Sequence, residues 1–384
     1  MRRVFLSFDT PCTRVLLTWP YSENQPEKAC EIRRVTTCRS IAITLLLDIS
    51  KIRKFGSLMG EPVFFLHQQF NDFEVFCENA RHWDLDYHQL DHGGFSSELL
   101  MFGNATTLFT RAKLGRRLLQ KGATPSGLIT FGLLADPDIS MQWRNLDIYG
   151  DRLFIFPPGG ELHSISQPDF DVFALSLSEE TLNQTCHAFE LPDFRTLVGS
   201  NEVFNCHPQS MLLLRKWLQK TERGLANSIP AAGSSMGLQQ LEVELARRLI
   251  TTLAESTGPA SQPLTRKRDI ALKVAVDFIV KSDKPVTSVR ELCSIANASE
   301  RTLQYAFRER YGQSPKTFTL THRLNNVRKR LRHADPGADR IHELAGHHGF
   351  LHMGQFTSDY KRLFGELPSE TLRKRKANVR DECG

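Results

Sequence analysis

The sequence predicts an α+β multidomain chain. A β-rich barrel or sandwich comes first, then a helical hairpin, then an all-α third with two helix-turn-helix units joined by a long helix. Three observations predict it. Short β-like runs separated by turn residues fill roughly the second quarter of the chain. The hydrophobic period then shifts from strand-like to helical. Finally, a segment of the last third repeats itself at an offset of 52 to 53 residues.

At 384 residues the chain is long enough for two or three domains, each with its own core. No apolar run is long enough to span a membrane, so no membrane partner is expected. Eight cysteines stand far apart, at 12, 30, 38, 77, 186, 206, 293 and 383, with no C-x-x-C among them. A zinc ribbon or disulfide framework is therefore not expected, and a reducing, cytoplasmic setting fits. The opening "MRRVFLS" has the twin arginines of an export signal, but "FDTPCTRVLLTWPYSENQ" after it lacks the apolar stretch such a signal needs. Charge is uneven. Residues 261–384 hold 24 Lys and Arg against 14 Asp and Glu, a net +10 in a chain of +6, which leaves −4 for the first 260. A basic third on an acidic remainder points to a polyanion partner for that third, or else to a basic solvated surface.

Residues 1–60 form an extension in which only "IAITLLLDI" (41–49) has the makings of a regular element. It is either loosely ordered or translated sequence upstream of a natural start near Met59. Residues 61–195 form the β-rich domain. Here "ELLMF", "GNAT" and "TLFTRAKL" (98–114) make a hairpin around Gly103 and Asn104. "GLITFGLLA", "DRLFIFPPGG", "ELHSIS" and "FDVFALSLS" follow, with turn residues between them, a spacing that predicts an antiparallel sandwich or barrel. Residues 196–262 form a helical hairpin and linker. In "LQQLEVELARRLITTL" (238–253), Leu238, Leu241, Leu245 and Leu249 recur along one helical stripe. That stripe either forms a seam between two copies of the chain, giving a homodimer, or packs on the β-rich domain. "ESTGPASQP" (255–263) is a breaker-rich boundary, and 263–384 reads as helix throughout.

The repeat sets "LCSIANASERTLQYAFRERYGQSP" (292–315) beside "LAGHHGFLHMGQFTSDYKRLFGELP" (344–368). Leu292 matches Leu344, Cys293 matches Ala345 and Asn297 matches Gly349. After one extra residue Leu303 matches Phe356, Phe307 matches Tyr360, Gly312 matches Gly365 and Pro315 matches Pro368. Each position has a physical reason. Cys293 and Ala345 are small where two helices cross closely. Gly349 enters the left-handed region freely, and Asn297 tolerates it. Ser299 stands where an N-cap belongs, and Leu303/Phe307 and Phe356/Tyr360 are i,i+4 pairs that face a core. Gly312 and Gly365 end their helices, and Pro315 and Pro368 open the next ones. These are two helix-turn-helix units, 288–311 and 341–364. Between them "KTFTLTHRLNNVRKRLRHAD" (316–335) is one helix. At about 28 Å it is long enough to set two reading helices into successive major grooves, about 34 Å apart.

"IHELAGHHGFLHMGQF" (341–356) carries four histidines and a glutamate, and raises zinc as an alternative. An H-E-x-x-H site puts two imidazoles at i and i+4 on one helix face. After His342 and Glu343, however, the next histidine is His347, one place too far. His348 and His352 are four apart, but a helical Gly349 between them costs about 1 kcal/mol relative to alanine. A His-rich zinc metallohydrolase is thus the alternative, and the duplicated unit argues against it. Neither a cofactor nor enzyme activity is expected.

Residues 267–376 resemble the DNA-binding domain of the AraC/XylS family of bacterial transcription regulators. The resemblance rests on Gly349-Phe350, the F-x3-Y of Phe356 and Tyr360, and the F-G-x-x-P that starts at Phe364. The departures are Cys293, where alanine is usual, and Asn297 in the first turn. The resemblance implies a sequence-specific regulator, an activator, with double-stranded promoter DNA and RNA polymerase as partners. It also implies an N-terminal sensor, commonly a cupin-like barrel, for a small-molecule inducer. "PGGELHSISQ" (158–167) is similar to the second cupin motif, with Gln167 where asparagine is expected. The first motif is missing, so His163 stands alone, metal is not expected there, and no residue set identifies the inducer.

On the first reading helix, the face opposite Leu303 and Phe307 carries Arg301, Gln304, Tyr305 and Arg308. Arginine suits guanine O6 and N7, and glutamine pairs bidentately with adenine. The second carries Met353, Gly354, Thr357, Ser358 and Lys361, which touch a thymine methyl or a water, and His352 at its start meets a phosphate or a base. More base specificity is therefore expected from the first unit. The tail "LRKRKANVR" (372–380) and the arginines of the joining helix are expected on phosphates, with His342 and His347 solvated.

Overall fold

The computed structural model describes residues 3–10, 13–20, 63–80, 82–143, 146–227, 235–260, 266–282, 288–335 and 339–374. It divides into two compact units, Met1–Leu58 and Met59–Gly384. In the first, β1 (Arg3–Thr10) and β2 (Thr13–Pro20) form an antiparallel hairpin where no regular element is predicted. The period-two run of Val4, Leu6 and Phe8 that builds β1 is too short to stand out beside its neighbours. The "IAITLLLDI" stretch lies outside the described residues.

The second unit opens with β3 (Phe64–Phe70), α1 (Phe73–Asn79), β4 (Asp84–Gln89), β5 (Ser97–Gly103), β6 (Thr107–Leu114) and β7 (Leu118–Ala123). Next come β8 (Leu128–Leu134), β9 (Ser140–Trp143), β10 (Leu146–Tyr149), β11 (Arg152–Phe156), β12 (Glu161–Ser166) and β13 (Phe170–Ser178). Then follow α2 (Glu179–Ala188), α3 (Phe194–Val198), β14 (Val203–Asn205), α4 (Pro208–Asn227), α5 (Ser235–Ala254) and β15 (Gly258–Pro259). The last third holds α6 (Lys267–Lys281), α7 (Val289–Ile295), α8 (Glu300–Tyr311), α9 (Pro315–His333), α10 (Ile341–His347) and α11 (Met353–Phe364). A short helix, α12, spans 368–374. None of the described helices is long and apolar enough to cross a membrane.

The strands make two antiparallel sheets, β10-β9-β12-β7-β4 and β15-β14-β11-β8-β13-β6-β5-β3. The β-rich domain is therefore a pair of facing sheets; among the described strands no ladder closes them into one barrel. The free edge of β4 explains part of this, because it meets a helix instead of a strand. The Gln89 backbone N–H donates to Asn325 Oδ1 (2.9 Å), and Asn325 Nδ2 donates to the Gln89 carbonyl (3.0 Å). An asparagine on α9 thus takes the place of a neighbouring strand.

Alternation sorts each strand's side chains onto two faces. Between the sheets, Tyr87, Leu118, Trp143 and Leu162 meet Leu99, Met101, Phe154 and Phe156. On the outer face of the larger sheet, Phe102, Phe131, Phe173 and Leu175 are covered by α4 and α5, where Leu238, Leu245 and Leu249 are buried. The leucine stripe therefore packs on the β-rich domain and is not free to act as a seam between copies. On the outer face of the smaller sheet, Leu119 and Ile165 share a core with Leu272, Val276, Leu303, Phe307 and Phe318 of the helical third. The breaker-rich boundary begins as an edge strand, β15, whose Pro259 pairs with Phe204.

Candidate nucleic-acid interface

The two helix-turn-helix units are built alike. After α7 the chain turns through Asn297 at φ 46°, and after α10 through Gly349 at φ 75°. Ser299 caps α8 by accepting the Thr302 backbone N–H (3.1 Å), whereas His352 precedes α11 without a side-chain cap. Leu303, Ala306, Phe307 and Tyr311 are buried on α8; Phe356, Tyr360, Leu363 and Phe364 are buried on α11. Gly312 and Gly365 stop the helices in the left-handed region, at φ 70° and 75°. Ser314 and Pro315 then start α9, which runs for 19 residues to the second unit.

Packing these stripes inward leaves the opposite faces open. Arg301, Tyr305 and Arg308 are exposed and Gln304 partly so, its Nε2 donating to Glu300 Oε1 (3.0 Å). On the second unit His352, Gly354, Ser358 and Lys361 are exposed, and Met353 and Thr357 are half-buried. Two residues beside these faces, Arg268 and Leu351, are not singled out by sequence reasoning. Arg268 of α6 places its guanidinium 5.2 Å from the Tyr305 ring and donates to Glu309 (2.7 Å), joining α6 to the first reading face. Nothing local in the sequence marks that contact. Leu351, 84% exposed at the start of α11, does carry a signal, since the match places Phe350 inward and so leaves its neighbour outward.

His342 and His347 are exposed, and His348 is half-buried with its carbonyl accepting from Arg323 Nε (2.6 Å). Among the described residues no three His, Cys, Asp or Glu side chains gather as they would around a metal. On β12, His163 is pushed down to about 4, first by burial and then by the Arg310 charge.

The joining helix departs from expectation. Arg328 and Arg332 are buried and do not face phosphates. Arg328, only 3% exposed, donates from Nε to Glu74 (2.9 Å) and from Nη2 to Asp72 (3.1 Å), and pairs with Glu366. Its guanidinium lies over Phe73 and Phe364, at 4.8 and 4.9 Å. Arg323 is half-buried too, stacked over Phe350 at 4.4 Å. Of these arginines Arg330 stays exposed, while residues 375–380 of the basic tail lie outside the described residues. The reason is tertiary: Asp72 caps α1 and Glu74 stands in its first turn, far away in sequence.

The same β-rich domain holds the C-terminal ends of both reading helices. Gln89 Nε2 and the Gly93 N–H donate to the Leu363 carbonyl at the end of α11 (2.7 and 3.0 Å). Arg117 Nη1 donates to the Tyr311 carbonyl at the end of α8 (3.4 Å), and Gln313 Nε2 donates to the Leu90 carbonyl. The stop glycines sit in this contact. A Cβ on Gly365 would fall 2.7 Å from the Gly94 nitrogen, and one on Gly312 would strike Arg117.

A family model described as a helix-turn-helix domain matches residues 292–374, which takes in all but the first four residues of the first unit and all of the second. The XylDLEGF operon transcriptional activator of Pseudomonas putida is 32% identical over 149 residues, 38% of this chain and 46% of that protein. The C-terminal third is a helix-turn-helix domain of the AraC/XylS type. The probable thc operon regulatory protein of Rhodococcus erythropolis is 34% identical to the chain over 102 residues, 27% of this chain and 31% of that protein. The matched segment thus spans less than half the length of these curated relatives. Among solved structures, the AraC-like transcriptional activator CuxR has a loose likeness, with a TM-score of 0.37 and 14% identity, covering 73% of this chain and 99% of that one. In the AraC-type domain, the faces of α8 and α11 that carry Arg301, Tyr305, Arg308, Ser358 and Lys361 are left exposed.

Proposed function

We propose that the chain is a sequence-specific DNA-binding transcription regulator. Its two helix-turn-helix units read successive major grooves of double-stranded promoter DNA, and a small molecule held by the N-terminal domain controls it, with RNA polymerase as a further partner. The observation that carries this reading is the duplicated unit itself, inside a segment of net +10, with Arg301, Tyr305, Arg308, Ser358 and Lys361 all turned outward. One chain then supplies both readers, which a single-unit protein obtains by pairing with a copy of itself.

A basic domain laid along two grooves displaces many counterions. Neutralising about six phosphates gives a log–log slope of affinity against salt near about −5. Titrating the full chain onto its target fragment at increasing salt checks this, and a slope shallower than about −2 would rule out a domain lying along the duplex.

The two units contribute differently. Gln304→Ala costs about 1–3 kcal/mol at one base pair and relaxes preference there, if the glutamine exchanges its bond to Glu300 for an adenine edge. Thr357→Ala weakens binding modestly and leaves the preferred sequence unchanged. A binding-site selection on both variants measures this. A larger loss of preference from the second unit would reverse the assignment.

A further inference from the structure

A cavity of about 70 Å³ lies between the two sheets. Its construction follows from register. Across the smaller sheet, Tyr87, Gln120 and Ser164 are opposed partners on β4, β7 and β12. Across the larger sheet, Thr110, Ala174 and Gly132 occupy one row of β6, β13 and β8. Ser164 in the first row and Thr110, Ala174 and Gly132 in the second leave room where larger side chains would fill the core, and Gly132 cannot be enlarged because the Phe154 ring occupies the place of its Cβ.

The lining is aromatic and aliphatic, with Phe76, Trp83 and Phe170 among its walls, and holds no charged side chain. Yet Thr110 Oγ1, Gln120 Nε2 and Ser164 Oγ are buried there with no hydrogen-bond partner. Those residues are 4%, 6% and 0% exposed. Trp83 Nε1 in the wall is unpartnered as well. Leaving one such group unpaired costs about 1–3 kcal/mol, so four in one apolar cavity mark a place shaped for a polar atom brought from outside. The unpaired groups are an amide N–H, an indole N–H and two hydroxyls, a set rich in donors that suits an oxygen with two lone pairs. An ionised ligand would lose its hydration with no opposite charge to meet it.

We propose that this cavity binds a small uncharged molecule with one carbonyl or hydroxyl oxygen, a short-chain amide, ketone or alcohol. Resting on the reading of the chain as an effector-controlled regulator, this molecule is the effector. Gln120 and Ser164, paired on the smaller sheet, donate to its two lone pairs, and Thr110 lines the cavity from the larger sheet. Phe76 belongs to the wall and also to α1, whose Asp72 and Glu74 hold Arg328, so occupancy bears on the contact that seats the AraC-type domain.

The test is a thermal-shift and calorimetric titration of the full chain, without DNA. The probes are propanamide and 2-butanone, set against propanoate and propylammonium, ionised compounds of nearly the same size. The neutral probes are expected to raise the melting temperature and the ions to bind more than ~10-fold more weakly. Gln120→Leu is expected to weaken propanamide at least ~10-fold, and Ser164→Ala, which keeps the packing, to weaken it severalfold. Equal or tighter binding of an ion, no shift with either neutral probe, or unchanged affinity in Ser164→Ala would overturn the proposal. Promoter binding is measured on the same preparations. A chain that binds DNA but no neutral probe refutes the ligand alone, and one that binds the probe but no DNA refutes the regulator reading.

Discussion

Replacing Arg328 with alanine is expected to destabilise the chain by about 3–5 kcal/mol, since it leaves buried carboxylates facing one another without their cation. Urea denaturation of the variant beside the wild type measures this, and a loss under about 1 kcal/mol would mean the cluster holds nothing together. The same cluster has a pH signature. Burial, reinforced by the Asp72 charge and opposed by Arg328, raises Glu74 from its ordinary 4.5 to about 7. A raised acid keeps a proton in the folded chain that the unfolded chain sheds. Its stabilisation is therefore complete below pH 4.5 and lost as pH rises through about 7. For Asp72, burial is outweighed by its bond with Glu74 and by the Arg328, Arg332 and Lys374 charges, and it falls from 3.8 to about 2. Its stabilisation is present above 3.8 and lost as pH falls through about 2. Glu74 thus contributes a fall in stability between pH 4.5 and about 7, and Glu74→Gln should remove that contribution, read as the difference between the pH profiles of the variant and the wild type.

Phe356→Ala is expected to cost about 3–5 kcal/mol and to melt the second helix-turn-helix. The ring is 1% exposed and packs between Phe350, at 5.0 Å, and Tyr360, at 5.7 Å. Its match in the first unit, Leu303, is also fully buried, and Leu303→Ala should cost about 2–5 kcal/mol. Amide exchange should show protection lost from α11 in the one variant and from α8 in the other. Loss spread evenly over both units in each variant would argue against separate readers.

These units were legible because a helix-turn-helix is local. A left-handed turn at Asn297 or Gly349, a cap at Ser299 and stops at Gly312 and Gly365 all act within a few residues, and their chemistry can be read directly from the letters. The hairpin around Gly103 and Asn104 is local in the same way, with β5 and β6 on either side. The arginines of α9 were not legible. In "NNVRKRLRH" Arg328 looks like its neighbours Lys329 and Arg330, and only the fold brings Asp72 and Glu74 to it. Whether the β-rich domain forms a sandwich or a closed barrel was not legible for a related reason. Strand runs show alternation but not which edges meet, and the edge of β4 is met by Asn325. The candidate ligand groups were hidden as well, because Gln120 and Ser164 become partners only through register between distant strands.

The Asn325 contact on β4 also bears on solubility. An edge strand with free backbone groups is a template for pairing with other chains, and proteins commonly shield such edges. Here the shield is carried by the AraC-type domain, through Asn325 on Gln89 and Lys329 on Asp86 (3.3 Å). Cutting the chain after the β-rich domain and its hairpin removes that shield and bares an outer sheet face that includes Leu119 and Ile165. The N-terminal portion is thus the half inclined to self-associate when isolated, and the DNA-reading third acts as its built-in guard against aggregation.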